Sequence, residues 1–148
     1  MLPESNAVYN TTDMAYTTEP YQVAYFANNG WAETPAKMLQ PLIVQALQST
    51  HYFKAIGTSI ISTRYDMILT TQLLQLQQDF TNKNVRSQVH LVLRAQLINA
   101  ATGRVIAARQ FSAVEAAPTN NPYGGVIAAN RAASVVMEEL AAFCLRAI

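Results

Sequence analysis

The side chains that most often bind metals or transfer protons are few in this chain, and they are scattered. Its two histidines, His51 and His90, lie far apart, and neither has a carboxylate or a cysteine beside it at a spacing typical of metal ligands. His90 also alternates with glutamines along a predicted strand, so a solvated position on the polar face of that strand accounts for it. The pattern favours ordinary structural histidines over a metal site.

Motifs for nucleophilic catalysis and for phosphate binding are also absent from the sequence. It contains no Gly-x-Ser-x-Gly elbow, no phosphate-binding loop and no Gly-x-Gly-x-x-Gly fingerprint. The carboxylates of Glu138, Glu139, Asp66 and Asp79 are expected to be solvated or to lie at the ends of elements, rather than to form an acid and base pair. We therefore predict no catalytic residue, no cofactor and no metal, and we do not expect an enzyme.

Aromatic residues carry the remaining signal, and they are concentrated in the first half of the chain. Packing in the core explains them, but an apolar patch for a protein partner or an acyl chain explains them as well, because aromatic anchors contribute much of the energy of an interface. The candidate binding residues are Tyr21, Tyr25, Phe26 and Trp31. The full set is Tyr9, Tyr16, Tyr21, Tyr25, Phe26, Trp31, Tyr52, Phe53 and Tyr65.

The only tryptophan, Trp31, lies where a strand is expected to turn into a helix. Residues 28–30 are Asn-Asn-Gly, which tolerate a positive φ and so predict a chain reversal. Thr34 can then cap a helix whose first position is Pro35. An aromatic side chain at such a corner fits either a core plug or a docking surface, and its position alone does not decide between them.

Composition limits the protein to a few classes. The chain has 148 residues, of which 51% are hydrophobic and 13% charged, so it can form one compact domain with a core. A net charge of +1 gives no electrostatic footprint for nucleic acid or for an anionic membrane surface. A single cysteine, Cys144, excludes an intrachain disulfide and is expected to be a small buried residue on the last helix.

Hydrophobic periodicity predicts an α+β fold with a mostly antiparallel sheet and two main helices packed on one face. We expect residues 1–12 to be a flexible lead-in and residues 13–148 to form a single domain. The predicted order is β-β-α-(β)-β-β-β-α, and the bracketed element, within residues 51–56, is either a strand or an irregular link. The predicted strands are 14–18, 21–26, 65–80 and a hairpin over 87–114, and the helices cover 35–49, with a kink at Pro41, and the segment from the 118–122 loop to about Arg146.

Several segments together resemble the ABC-type transport auxiliary lipoprotein family, which includes PqiC-like proteins. The first is Trp-Ala-Glu-Thr-Pro at residues 31–35, followed by the helix that Pro35 begins. The others are Tyr-Asp-Met-Ile-Leu at 65–69 leading to Gln-Asp-Phe at 78–80, the strand 89–97, and Ala-Ala-Asn-Arg-Ala at 128–132. The resemblance covers nearly all of residues 12–147, and the order and spacing of the segments make it more specific than any one of them.

The resemblance implies a non-catalytic component of a transport system that has MCE-domain and ABC subunits, with lipid traffic between the two Gram-negative membranes as its task. It also implies a periplasmic location with a lipid anchor in the outer membrane, and a homo-oligomer is compatible with it. No cysteine lies near the N-terminus for lipidation, so the signal peptide and anchor are expected upstream of residue 1. The alternative is a small module that binds a lipid or another apolar ligand by itself.

Overall fold

A six-stranded sheet carries two helices in this structure, a computed structural model that describes residues 2–53, 56–57 and 66–147. The elements are β1 (Glu4–Ser5), a short 3-10 helix (Ala7–Tyr9), β2 (Asp13–Thr17), β3 (Ala24–Gly30), α1 (Pro35–Gln48), β4 (Met67–Asp79), β5 (Gln88–Asn99), β6 (Val105–Ala116) and α2 (Pro122–Ala147). The predicted α+β class is therefore confirmed. Neither described helix is long and apolar enough to cross a membrane.

The strands lie in the order β3-β2-β4-β5-β6, and β1 pairs with β4 outside this path. The neighbours β2–β3, β4–β5 and β5–β6 are antiparallel, whereas β1 and β2 both run parallel to β4. β3 and β6 are consequently the two edges of the sheet. The long hairpin of β5 and β6 is the one that the alternating sequence predicts.

The alternation of apolar and polar residues along β5 explains which face of the sheet is buried. Leu91, Leu93 and Ala95 are buried against α2, and the residues between them, such as Arg94, point to the opposite face. His90 lies on that opposite face, but it is half-buried rather than fully solvated as expected. The second face of the sheet is thus polar without being uniformly exposed.

Helix α1 begins as the sequence predicts, with Thr34 at the N-cap and Pro35 at the first helical position. The Thr34 side chain makes no capping hydrogen bond, although its carbonyl accepts the N–H of Met38 at 3.1 Å. The helix buries Leu39 and Ile43 and continues through Pro41. The kink at Pro41 stays a prediction.

The predicted reversal at residues 28–30 is wrong, because all three residues belong to β3. The backbone is left-handed at Tyr21 instead, where φ is 66°, in the turn that precedes the strand. Gly30 is needed for a different reason: a Cβ there would lie 2.9 Å from the carbonyl oxygen of Thr12. The register of β2 and β3 shifts between Asp13 and Ala15, so β3 bulges where the sequence suggests a turn.

The segment expected to be a flexible lead-in contains regular structure. Glu4 and Ser5 pair with the edge of β4 at Gln72 and Leu73, and the side chain of Tyr9 is buried and donates a hydrogen bond to Oε1 of Gln77 at 2.9 Å. The polar composition of residues 1–12 hides this packing, since one buried tyrosine fixes the segment. A domain boundary at residue 13 stays a prediction.

Helix α2 buries Cys144, as the sequence predicts. Its first turn also buries Gly124 and Gly125, where a Cβ would overlap Thr119 and Gln78 respectively. Between the helices, the described parts of the expected 51–56 segment contain no strand. Residues 54–55 of that segment, and Tyr65 at the expected start of β4, lie outside the described residues.

Candidate functional site

Three aromatic rings from different strands meet at one end of the sheet. The ring of Phe26 on β3 stacks on that of Tyr16 on β2, with a centroid separation of 4.5 Å and an interplanar angle of 30°. Phe80, just after β4, meets both rings edge-on, at 6.1 Å from Tyr16 and 6.3 Å from Phe26. Such stacked and edge-to-face arrangements stabilise an aromatic cluster beyond its buried area.

This aromatic cluster, formed by Tyr16, Phe26 and Phe80, is the floor of a groove of about 550 Å³. The loop between β4 and β5 forms the opposite wall and contributes Lys83 and Val85, both exposed. The described residues that line the groove include one cation and no carboxylate. They are Tyr16, Thr18, Tyr25, Phe26, Ala27, Phe80, Asn82, Lys83, Val85, Ser87 and Asn120.

A buried hydrogen-bond network holds the wall of the groove in place. Gln78, which is 2% exposed, donates from Nε2 to Oγ of Ser87 at 2.9 Å and to the carbonyl of Asn121 at 3.1 Å. The N–H of Ser87 donates to Oδ1 of Asn120 at 2.8 Å. The end of β4, the start of β5 and the segment leading into α2 are therefore connected, and the groove is largely pre-formed.

The β3 strand at the edge of the sheet is the second notable surface. Six of its seven residues are exposed, and only Phe26 is half-buried. The side chain of Tyr25 is 42% exposed and donates a hydrogen bond from its hydroxyl to the carbonyl of Val8 at 2.8 Å. Tyr21, in the preceding turn, is fully exposed. β3 contains no charged residue and no proline, the features that usually discourage pairing at a sheet edge.

Trp31 directly follows the last residue of β3, is not among the residues that line the groove, and packs against the hydrophobic core. Its N–H donates to the carbonyl of Thr12 at 2.6 Å, which fixes the chain between β3 and α1. The cavity that it lines with Met14 and Leu76 has a volume of about 10 Å³. A space of that size holds about one water molecule and excludes a ligand.

The structure therefore divides the four predicted binding residues. Phe26 and Tyr25 line the groove, Tyr21 stands alone in an exposed turn, and Trp31 is a packing residue. Sequence reasoning missed Phe80 and Lys83, which complete the groove. Phe80 and Lys83 reach the groove because β2 pairs in parallel with the end of β4. A local sequence pattern does not predict such a long-range contact.

Titratable groups elsewhere form one notable pair. Nε2 of His90 lies 3.2 Å from Oδ2 of Asp79. Burial by itself raises the pKa of Asp79, but hydrogen bonds from Thr81 and the neighbouring His90 outweigh it and lower the pKa below its ordinary value of 3.8.

Burial raises the pKa of the Cys144 thiol to about 11, so this thiol is a poor nucleophile.

No three His, Cys, Asp or Glu side chains within residues 2–53, 56–57 and 66–147 come together as a metal site would require. The groove offers an apolar floor, one ammonium group and several amide and hydroxyl groups. Chemically, it can bind and orient a ligand.

Comparison with known proteins agrees with this fold. The most similar solved structures include protein XCC0632 from Xanthomonas campestris, of family DUF330, which has 20% sequence identity and a TM-score of 0.90, with 99% of this chain and 81% of that chain covered. An uncharacterized protein of 15% identity has a TM-score of 0.78 and coverages of 97% and 88%. The hypothetical protein CT253 from Chlamydia trachomatis has 8% identity, a TM-score of 0.53 and coverages of 95% and 92%.

No curated protein matches the chain. The family model described as "ABC-type transport auxiliary lipoprotein component" matches residues 5–141, which is most of the sequence. The segments that suggested this family all lie in that range. The chain therefore belongs to the ABC-type transport auxiliary lipoprotein component family.

Proposed function

We propose that this protein is a non-catalytic subunit of an ABC-type transport system and docks onto its MCE-domain component. In this proposal the system moves lipids between the membranes of a Gram-negative envelope, and a lipid anchor holds the subunit at the periplasmic side of the outer membrane. Family membership supports the transport role and the envelope location. The partner, the cargo and the membrane are parts of the proposal.

The exposed edge of β3 is the observation that carries the docking step. A strand at a sheet edge presents N–H and C=O groups without partners, and an extended segment of another protein can pair with them. β3 is seven residues long, lacks charge and is preceded by the exposed ring of Tyr21. Main-chain pairing would supply affinity, and the Tyr21 and Tyr25 rings would supply apolar contacts.

Capture of the purified MCE-domain component tests the docking site. Changing Asn28 and Asn29 to lysine places two positive charges on the free edge, where both residues are exposed and folding should be unaffected. We expect capture to fall at least tenfold. The matched control changes Gln110 and Ser112 to lysine on β6, the opposite edge strand, and should leave capture unchanged. Equal capture by both double variants would refute docking through β3.

Trp31→Ala separates the packing role of this residue from a role in docking. Because Trp31 packs against the core, the folded fraction of this variant should capture the partner as well as the wild type does. If well-folded Trp31→Ala protein loses capture, Trp31 contributes to the interface with the partner.

The groove favours a second candidate function, a module that binds a lipid by itself. Native mass spectrometry after mild extraction distinguishes the two functions, since a carrier retains bound lipid in the absence of its partner. Lipid retention together with failure to capture the MCE-domain component would favour this second function.

A further inference from the structure

We propose that the groove between β3 and the β4–β5 loop binds a single-chain anionic amphiphile, with its acyl chain on the aromatic cluster and its headgroup beside Lys83. This inference gives the groove a ligand and rests on the proposed transport function for its biological role. Binding is measured on this chain alone, whereas docking is measured with the partner, so either proposal can fail while the other stands.

The size and shape of the groove suit a small ligand. Its volume of about 550 Å³ lies inside the range of roughly 300 to 1,000 Å³ that is usual for ligand pockets. The Phe26, Phe80 and Tyr16 rings form an apolar floor, and the exposed side chain of Val85 extends that surface along the loop. A flexible acyl chain can lie across such a surface and bury apolar area from both sides.

Charge identifies the headgroup. Lys83 lines the groove and Arg86 is exposed in the same loop, whereas none of the described lining residues is acidic. The nearest carboxylate along the chain, Asp79, already accepts the N–H of Thr81 at 2.8 Å and faces His90. Neither of the salt bridges found among the described residues involves Lys83, so its ammonium group can meet an anion.

Polar groups on the rim can complete the headgroup site. Asn82 and Thr18 also line the groove and offer an amide and a hydroxyl. Asn120 is already engaged through Oδ1 by the Ser87 N–H. A phosphate or carboxylate would thus meet one cation and neutral donors, while the chain would meet the aromatic rings of the floor.

The groove is also firm enough to discriminate between ligands. The Gln78 and Ser87 hydrogen bonds fix the base of the β4–β5 loop, and the N–H of Phe80 donates to the carbonyl of Thr17 at 2.8 Å. A site that does not need to be ordered on binding loses less free energy in the process.

Calorimetric titration below the micelle concentration tests the proposal with three probes. Lysophosphatidylglycerol has one chain and an anionic head, lysophosphatidylcholine has the same chain and a zwitterionic head, and glycerol phosphate has no chain. We expect lysophosphatidylglycerol to bind at least about fivefold more tightly than lysophosphatidylcholine, as a solvent-exposed charge interaction would give. Glycerol phosphate should bind far more weakly than either.

Two groove variants and one control identify the site. Lys83→Glu should abolish the preference for the anionic head, and Arg131→Glu, the same charge change on the exposed side of α2, should preserve it. Ala27→Trp fills the groove from an exposed strand position that tolerates an aromatic residue, and it should abolish binding of both lysolipids. Circular dichroism checks that each variant is folded.

Three results would overturn the proposal. Equal affinity for the two lysolipids would show that the groove does not select an anionic headgroup. If glycerol phosphate binds as tightly as lysophosphatidylglycerol, the acyl chain contributes nothing and the site binds only an anion. Unchanged lysolipid binding by folded Ala27→Trp protein would place the ligand elsewhere.

Discussion

Gly125, in the first turn of α2, is expected to contribute to stability because its missing side chain makes room for Gln78. A Cβ at this position would overlap Oε1 of Gln78, which is 2% exposed and cannot swing into solvent. Gln78 would have to move, and its hydrogen bonds to Ser87 and Asn121 would lengthen or break. The substitution Gly125→Ala therefore acts on the network that supports the groove.

The change in the free energy of unfolding for Gly125→Ala combines one stabilising effect and two destabilising effects. Alanine is favoured over glycine in a helix by up to about 1 kcal/mol. Overpacking a close contact costs about 1–3 kcal/mol, and each lost hydrogen bond of Gln78 costs about 1 kcal/mol. The sum is a net loss of about 2 kcal/mol in the free energy of unfolding for Gly125→Ala.

Urea denaturation followed by circular dichroism measures this loss, and a double-mutant cycle assigns its cause. In a Gln78→Ala background the obstructing side chain is gone, so Gly125→Ala should be neutral or stabilise by up to about 1 kcal/mol. A control change at an exposed position of α2, Ser134→Ala, should behave alike in both backgrounds. If Gly125→Ala stabilises the wild type as much as it stabilises the Gln78→Ala protein, the steric reasoning is refuted.

Three further predictions concern packing and protonation. Trp31→Ala should lower the free energy of unfolding by about 2–4 kcal/mol because a large side chain leaves a gap against the core, which urea denaturation measures. Cys144 should react with a thiol reagent at neutral pH only in denaturant, because burial raises the pKa of its thiol to about 11; rapid labelling of native protein would contradict its buried position. The pKa of Asp79 is lowered in the folded state, so its contribution to stability is present above pH 3.8 and is lost as the pH falls below that value. Asp79→Asn should therefore be less stable than the wild type near pH 6 and nearly equal to it near pH 2 in denaturation experiments.

Local patterns were sufficient for the parts of the fold that depend on neighbouring residues. The alternation of Leu91, Leu93 and Ala95 with polar residues predicts β5 and its dry face. Thr34 followed by Pro35 predicts the start of α1 to the residue. In both cases the physical cause is a repeat of two residues or the geometry of one helical turn, and each lies within a short window of sequence.

Long-range pairing was not accessible in the same way. β1 and β2 share one edge of β4, with Ser5 opposite Leu73 and Tyr16 opposite Gln78. Parallel strands are not connected by a short turn, so no turn motif in the sequence predicts that they are neighbours. This pairing brings Tyr16 to Phe80 and creates the groove, which explains why Phe80 and Lys83 were not among the residues that the sequence suggested.

The segment from Tyr25 to Trp31 shows how one sequence can be interpreted in two ways. Asn28, Asn29 and Gly30 tolerate a reversal, but residues that permit a turn do not enforce one when a neighbouring strand is available. Here the N–H of Trp31 bonds to Thr12, and the bulge takes up the extra residues of β3. Because the strand continues to Gly30, its free edge is long enough to accept an extended partner, whereas a reversal at residue 28 would have left a much shorter edge. The N–H of Trp31 thus holds the end of β3 against Thr12, while its partly buried side chain packs against the core.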